Sequence, residues 1–208
     1  MNGTLAGKAL RLRKVNEYKD KPKKYKHTYC VAEEGTEDVL YSCDVISHVA
    51  SREVVFLDAN RAPCFSMQPN RRIMPTYWLV TDASGREIGQ IKQHVFTGGQ
   101  WSGLGPSGEE LFRIVNPESF KDKMGKTLLG GVTTKYDFVR GDNLLATTEQ
   151  EPRKKPTKGG VRGLLQALIT PSDWVIRLSE EAAHMDLRLV IPAMVLLIDV
   201  TVALDRAD

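Results

Sequence analysis

Cysteine is scarce in this chain. Its three copies (Cys30, Cys43, Cys64) are too few and too unpatterned for a disulfide framework or a zinc site. A reducing cytoplasm is the compartment that fits. The N-terminal stretch has no secretory apolar core, Asn2 stands where myristoylation requires glycine, and the C-terminus carries no prenylation box. The first 16 residues hold four basic and no acidic side chains, which leaves an organellar transit peptide open, although hydroxylated residues are few. No apolar run reaches the ~20 residues that a membrane-spanning helix needs.

Catalytic signatures are also missing. His27, His48, His94 and His184 stand far apart, without metal-ligand spacing. There is no nucleophile elbow. Gly103-Leu-Gly-Pro-Ser-Gly108 has the letters of a dinucleotide loop, but two acids and a β-type segment follow it where a helix should open. Gly125-Lys126-Thr127 ends like a phosphate loop, yet Phe120 occupies the place of its first glycine. Glu33-Glu34, Glu109-Glu110 and Glu180-Glu181 are adjacent pairs that suit solvent better than acid–base work. The expectation is a protein that is not an enzyme and has no cofactor, no metal and no catalytic residue.

What the chain does have is one wholly apolar stretch. Leu189 to Ile198 runs without a polar side chain. A segment apolar on every side must be surrounded. Extending it to Leu204 would bring Asp199 into lipid, at ~2.5–3.5 kcal/mol. The stretch therefore reads as a buried core helix with Asp186 and Asp199 at its ends. Pro192 either kinks that helix or marks a start nearer Ile191.

The segments before it have the character of strands. Val39–Ile46 fits a strand or a helix. Residues 53–57, 64–67, 76–81, 87–93, 100–103, 110–115, 133–140, 144–148, 164–169 and 174–178 are short, rich in β-formers and separated by turn residues. Thr76–Thr81, the Asp82-Ala-Ser-Gly-Arg86 turn and Glu87–Gln93 make the clearest hairpin. Ile88 and Ile91 are three apart, so Gly89 marks a bulge or a close approach. Eleven or twelve strands at this spacing indicate a barrel or sandwich, and one apolar helix suggests a barrel that the helix fills. Fourteen helical residues span ~21 Å, a suitable barrel height.

Charge is unevenly spread. Residues 1–28 hold nine Lys/Arg against two Asp/Glu, while the remainder holds 20 against 24. The run Lys19-Asp-Lys-Pro-Lys-Lys-Tyr-Lys26 reads as part of a mobile arm that does not pack. Its lysines (Lys21, Lys23, Lys24, Lys26) suit anionic lipid or nucleic acid, or serve only solubility. A second basic cluster, Arg153, Lys154, Lys155, Lys158 and Arg162, surrounds Gly159-Gly160. Lys and Arg beside a glycine-rich backbone can hold a phosphate; the alternative is a solvated loop.

The order of features resembles the tubby C-terminal-like superfamily, nearest its LURP-one-related branch and the phospholipid scramblases. The residues that carry the likeness are Glu53-Val-Val-Phe-Leu-Asp58, Tyr77-Trp-Leu-Val-Thr-Asp82-Ala-Ser-Gly85-Arg-Glu-Ile-Gly-Gln-Ile91, Trp174-Val-Ile-Arg-Leu178, Asp186 and the apolar run to Asp199. It covers roughly residues 39–204. The resemblance implies a mainly β fold, a twelve-stranded closed barrel around a central C-terminal helix. It also implies phospholipid head groups, phosphoinositides among them, as the first ligand to consider. The basic arm, the 150–163 loop and Pro192 depart from the family pattern.

The expected organisation is a basic arm over 1–28 and a single barrel domain over 29–208, with its helix at 186–199 and a basic insertion at 150–163. The expected role is a cytoplasmic, membrane-peripheral module for anionic phospholipid. A scaffold for an unidentified protein is the alternative. Nucleic-acid binding through the arm ranks lower: Tyr18, Tyr25 and Tyr29 permit stacking, but the acidic body limits the footprint.

Overall fold

A computed structural model describes residues 7–17, 26–46, 53–70, 77–94, 100–116, 135–151 and 173–204. Twelve antiparallel strands follow one another around a closed barrel. They are β1 (Ala9–Glu17), β2 (Lys26–Glu33), β3 (Val39–Ile46), β4 (Val54–Leu57), β5 (Pro63–Pro69), β6 (Tyr77–Asp82), β7 (Glu87–His94), β8 (Gln100–Leu104), β9 (Glu110–Val115), β10 (Lys135–Arg140), β11 (Asn143–Gln150) and β12 (Trp174–Leu178). Each pairs with its sequence neighbours, and β1 closes the ring on β12 with Ala9 opposite Arg177 and Leu12 opposite Trp174. A 3-10 turn (Glu180–His184) leads into α1 (Leu187–Leu204), the one α-helix among the described residues.

Alternation decides which side chains enter the barrel. Leu10 and Leu12, Tyr29 and Val31, Phe56, Phe65 and Met67, Trp78 and Val80, Phe112 and Ile114, Phe138, Trp174 and Ile176 all point inward and are buried. They enclose α1, whose residues from Leu189 to Ile198 are buried on every side. Small residues stand where a neighbour needs space: a β-carbon at Gly103 would overlap the Phe112 ring.

Five hairpins share one construction. In β2–β3, β4–β5, β6–β7, β8–β9 and β10–β11 the returning strand carries one extra residue just after the turn: Leu40, Cys64, Ile88, Leu111 and Leu145. Each turn also holds one residue at positive φ: Gly35 (86°), Arg61 (64°), Gly85 (84°), Gly108 (86°) and Gly141 (57°). A left-handed residue followed by a bulge is how a short loop matches the twist of its strands. The five extra side chains pack against the core at the end of the barrel where α1 enters.

Asp186 starts α1 as expected. Its carboxylate accepts the Arg188 backbone N–H at 2.9 Å, an N-cap bond, and also takes the Arg188 guanidinium, with Nη2 at 2.6 Å and Nε at 3.0 Å. Asp199 is not an end. The helix continues through it to Leu204, so the expected 186–199 becomes 187–204. A lone aspartate costs a helix only ~0.7 kcal/mol, too little to stop one. Pro192 does not mark the start; it lies inside the helix and removes the N–H that would bond the Arg188 carbonyl.

The arm over 1–28 needs the larger correction. Residues 9–17 are β1, paired with β12 over Ala9–Leu12 and with β2 over Leu10–Glu17, and β2 begins at Lys26. Leu10 and Leu12 are 0% and 1% exposed, and this burial holds the segment in the wall. Val39–Ile46 is a strand. The expected strand at 164–169 and the insertion from 152 to 163 lie outside the described residues.

Candidate functional site

An up-and-down barrel sends successive connections to opposite ends. The connections β2–β3, β4–β5, β6–β7, β8–β9, β10–β11 and β12–α1 meet at the entrance of α1. They carry nine acids (Glu34, Glu37, Asp38, Asp58, Glu109, Asp142, Glu180, Glu181, Asp186) and two bases, Arg61 and Arg86. The connections β1–β2, β3–β4, β5–β6, β7–β8, β9–β10 and β11–β12 join strand ends at the other rim. These span 18–25, 47–53, 70–76, 95–99, 116–134 and 151–173, with 15 Lys/Arg against six Asp/Glu. By sequence, then, the connections at the α1 entrance are acidic, and those that join the opposite strand ends are basic, with their Lys/Arg outside the described residues.

Lys21, Lys23 and Lys24 belong to the β1–β2 connection and lie outside the described residues, as do Arg153, Lys154, Lys155, Lys158 and Arg162 in the β11–β12 connection. Lys26 opens β2, with its backbone opposite Glu17 on one side and Ile46 on the other. Because β1 neighbours both β2 and β12, the two basic connections spring from adjacent strands at the same rim.

The described residues show how they are joined. Arg11 and Arg13 project outward from β1, two residues apart. The Arg11 Nη2 donates to Glu151 Oε1 at 2.9 Å, and the Arg13 Nε to Asp173 Oδ2 at 3.2 Å. Glu151 and Asp173 are the residues just outside β11 and β12, and the Glu151 N–H donates to the Asp173 carbonyl at 2.8 Å. At the opposite end of β1, Lys8 pairs with Glu33 of β2 at 3.0 Å, and Arg177 of β12 with Glu34 at 3.7 Å. A groove of about 250 Å³ lies beside β1, with Arg11, Arg13, Cys30 and Thr36 in its walls. Desolvation by burial raises the Cys30 thiol pKa and pushes that of Cys43 much further up, so both stay protonated. Arg11 and Arg13 did not feature among the expected site residues. The signal was present in Leu10-Arg11-Leu12-Arg13, an apolar–charged alternation with the period of a strand.

One cluster has the residue types of a catalytic site. Ser102 lies 3.0 Å from His94 Nε2 and 3.1 Å from Glu110 Oε2. An ionised carboxylate only accepts, so the single hydroxyl proton goes to Glu110 and His94 must donate to the serine oxygen. A general base would do the reverse. Among the described residues no three His, Cys, Asp or Glu side chains converge as metal ligands, and no helix is long and apolar enough to cross a membrane.

No family model, no curated protein and no solved structure matches this chain.

Proposed function

We propose that this chain is a non-enzymatic binding module that sets one end of its barrel on an anionic phospholipid surface, with phosphoinositide-like head groups as its ligands. What carries this reading is the contrast in sequence charge between the two alternating sets of connections. Each basic residue near an anionic membrane adds ~1 kcal/mol, and the basic rim has nine more bases than acids. The acidic rim does not cancel this attraction. The 18 residues of α1 span ~27 Å along the axis, against a Debye length of ~8 Å at physiological salt. The resemblance to the tubby-like and scramblase-like proteins supports the same reading.

The test is co-sedimentation with vesicles of phosphatidylcholine alone, with phosphatidylserine, and with a phosphoinositide, each at 50 and 150 mM salt. Pelleting should require anionic lipid and weaken at the higher salt. Equal recovery with all three compositions at low salt overturns the proposal.

A further inference from the structure

We infer that the groove on the outer wall beside β1 is a binding site for a compact phosphate monoester, held by Arg11, Arg13 and Arg61 around Cys30. This goes beyond the phospholipid reading above and does not depend on it. Arg11 and Arg13 line the groove from β1, Cys30 and Ala32 from β2, and Thr36 and Glu37 from the turn that follows. Its volume is about 250 Å³. Small-molecule sites span ~300–1,000 Å³, so the occupant is a small group rather than a polymer. Glu37 belongs to the turn and stands at the end away from Arg13 and Cys30.

The cations have donors to spare. Glu151 takes the Arg11 Nη2 and Asp173 the Arg13 Nε, which leaves other N–H groups on both guanidinium groups. The Arg11 Nε is buried without a partner, and a buried donor is normally matched by an acceptor. Arg61 is the least committed of the three. Arg13, Cys30, Ser42 and Leu57 stand side by side across four strands, and Arg61 springs from the turn just beyond Leu57. Burial raises the Cys30 thiol pKa, and Arg13 and Arg61 both act against that rise, so both guanidinium groups lie near the sulfur. Asp58, beside Arg61 in the turn, is occupied by the backbone N–H groups of Asn60 (2.8 Å) and Ala62 (2.9 Å). No carboxylate among the described residues forms an ion pair with Arg61. Arg61 also sits at a φ of 64°, where the four equivalent turns have glycine. A side chain kept in a strained position without a partner points to a role beyond the fold. Three guanidinium groups from two strand sites and a turn suit a tetrahedral dianion. A planar carboxylate is satisfied by one of them alone.

Cys30 supplies the readout, since it is partly exposed while Cys43 is buried. The folded protein is alkylated with neutral iodoacetamide or anionic iodoacetate, and the Cys30 peptide is followed by mass spectrometry. The rate ratio of iodoacetate to iodoacetamide in wild type should exceed that in Arg61→Gly by at least about threefold, because the groove concentrates anions. Arg61→Lys, which keeps the charge, should stay near wild type. Glycerol 3-phosphate should slow iodoacetamide at Cys30 in wild type and not in Arg61→Gly, while acetate at equal ionic strength should leave it unchanged. A parallel arm uses phosphatidylcholine vesicles carrying phosphatidic acid. Protection by the free ester assigns the site to a soluble phosphate, and protection by the vesicles alone assigns it to a lipid head group. No protection by either, or equal protection in Arg61→Gly, overturns the inference. Pelleting of the same vesicles reads the phospholipid proposal separately.

Discussion

Gly89 on β7 lies directly against the carbonyl oxygen of Leu104 on β8, so closely that a β-carbon would overlap it. The same position faces Leu189 of α1 at 3.1 Å from where that carbon would stand. The missing side chain leaves room for the neighbouring strand's backbone and for the Leu189 side chain. Gly89→Ala should destabilise by ~1–3 kcal/mol through overpacking, measured as the shift in the urea unfolding midpoint. An unchanged midpoint would mean that the wall can move away from the helix.

Arg61 holds the left-handed position that glycine holds in the four equivalent turns. An L-residue there costs ~1–2 kcal/mol, and glycine brings an unfolded-state cost of ~0.5–1. Arg61→Gly should therefore stabilise the protein by up to about 1.5 kcal/mol, the difference of the two. Loss of stability would indicate that the Arg61 side chain makes a contact of greater worth than the strain.

Leu12 separates a strand from an arm. It is 1% exposed and paired with Trp174 and Val31. Leu12→Ala should cost ~2–5 kcal/mol, where a residue in a mobile tail would cost nothing. Equilibrium unfolding of the two proteins decides this.

Asp82 accepts hydrogen bonds from the Ser84 hydroxyl (2.6 Å), the Ser84 and Arg86 backbone N–H groups (2.9 and 3.0 Å) and the Arg86 Nε (3.2 Å). With Ser84 the largest cause, these hold its carboxyl down at about 2. A folded pKa below the unfolded value gives stability that is present above the unfolded pKa, ~3.9, and is lost as pH falls through the folded one. Wild type should exceed Asp82→Asn in thermal midpoint at pH 5, and the gap should close between about pH 4 and pH 2. A gap constant across that window would contradict the assignment.

Much of the fold was legible because local patterns agreed with it. Leu189–Ile198 has no polar face, which leaves only an interior position. The Tyr77–Ile91 hairpin shows alternation, turn chemistry and, at Gly89, the irregularity that proves to be both a bulge at Ile88 and a close approach to α1. The first strand was hidden by its own interior. Leu10 and Leu12 alternate correctly, but the next inward position is Lys14, which is 8% exposed with its ammonium 5.3 Å from the centre of the Tyr29 ring. A cation facing inward breaks the apolar pattern, and a cation–π contact cannot be read from spacing. The site was legible only as two separate basic stretches. Their common origin depends on Leu12 lying beside Trp174, a contact between distant parts of the chain that no local pattern encodes.

The closure of β1 on β12 sets an order of events. While the chain is being made, β1 waits without its second neighbour until Leu178 has left the ribosome. The inward faces of all twelve strands then have nothing to enclose until Leu187–Leu204 follows. Contacts between the two halves of the seam are the slowest kind to form, because the loop must close before they repay it. Closure of the barrel and insertion of its helix are therefore the last steps of folding. The vulnerable species is a sheet with two open edges and no plug, the form that a chaperone would need to shield from aggregation.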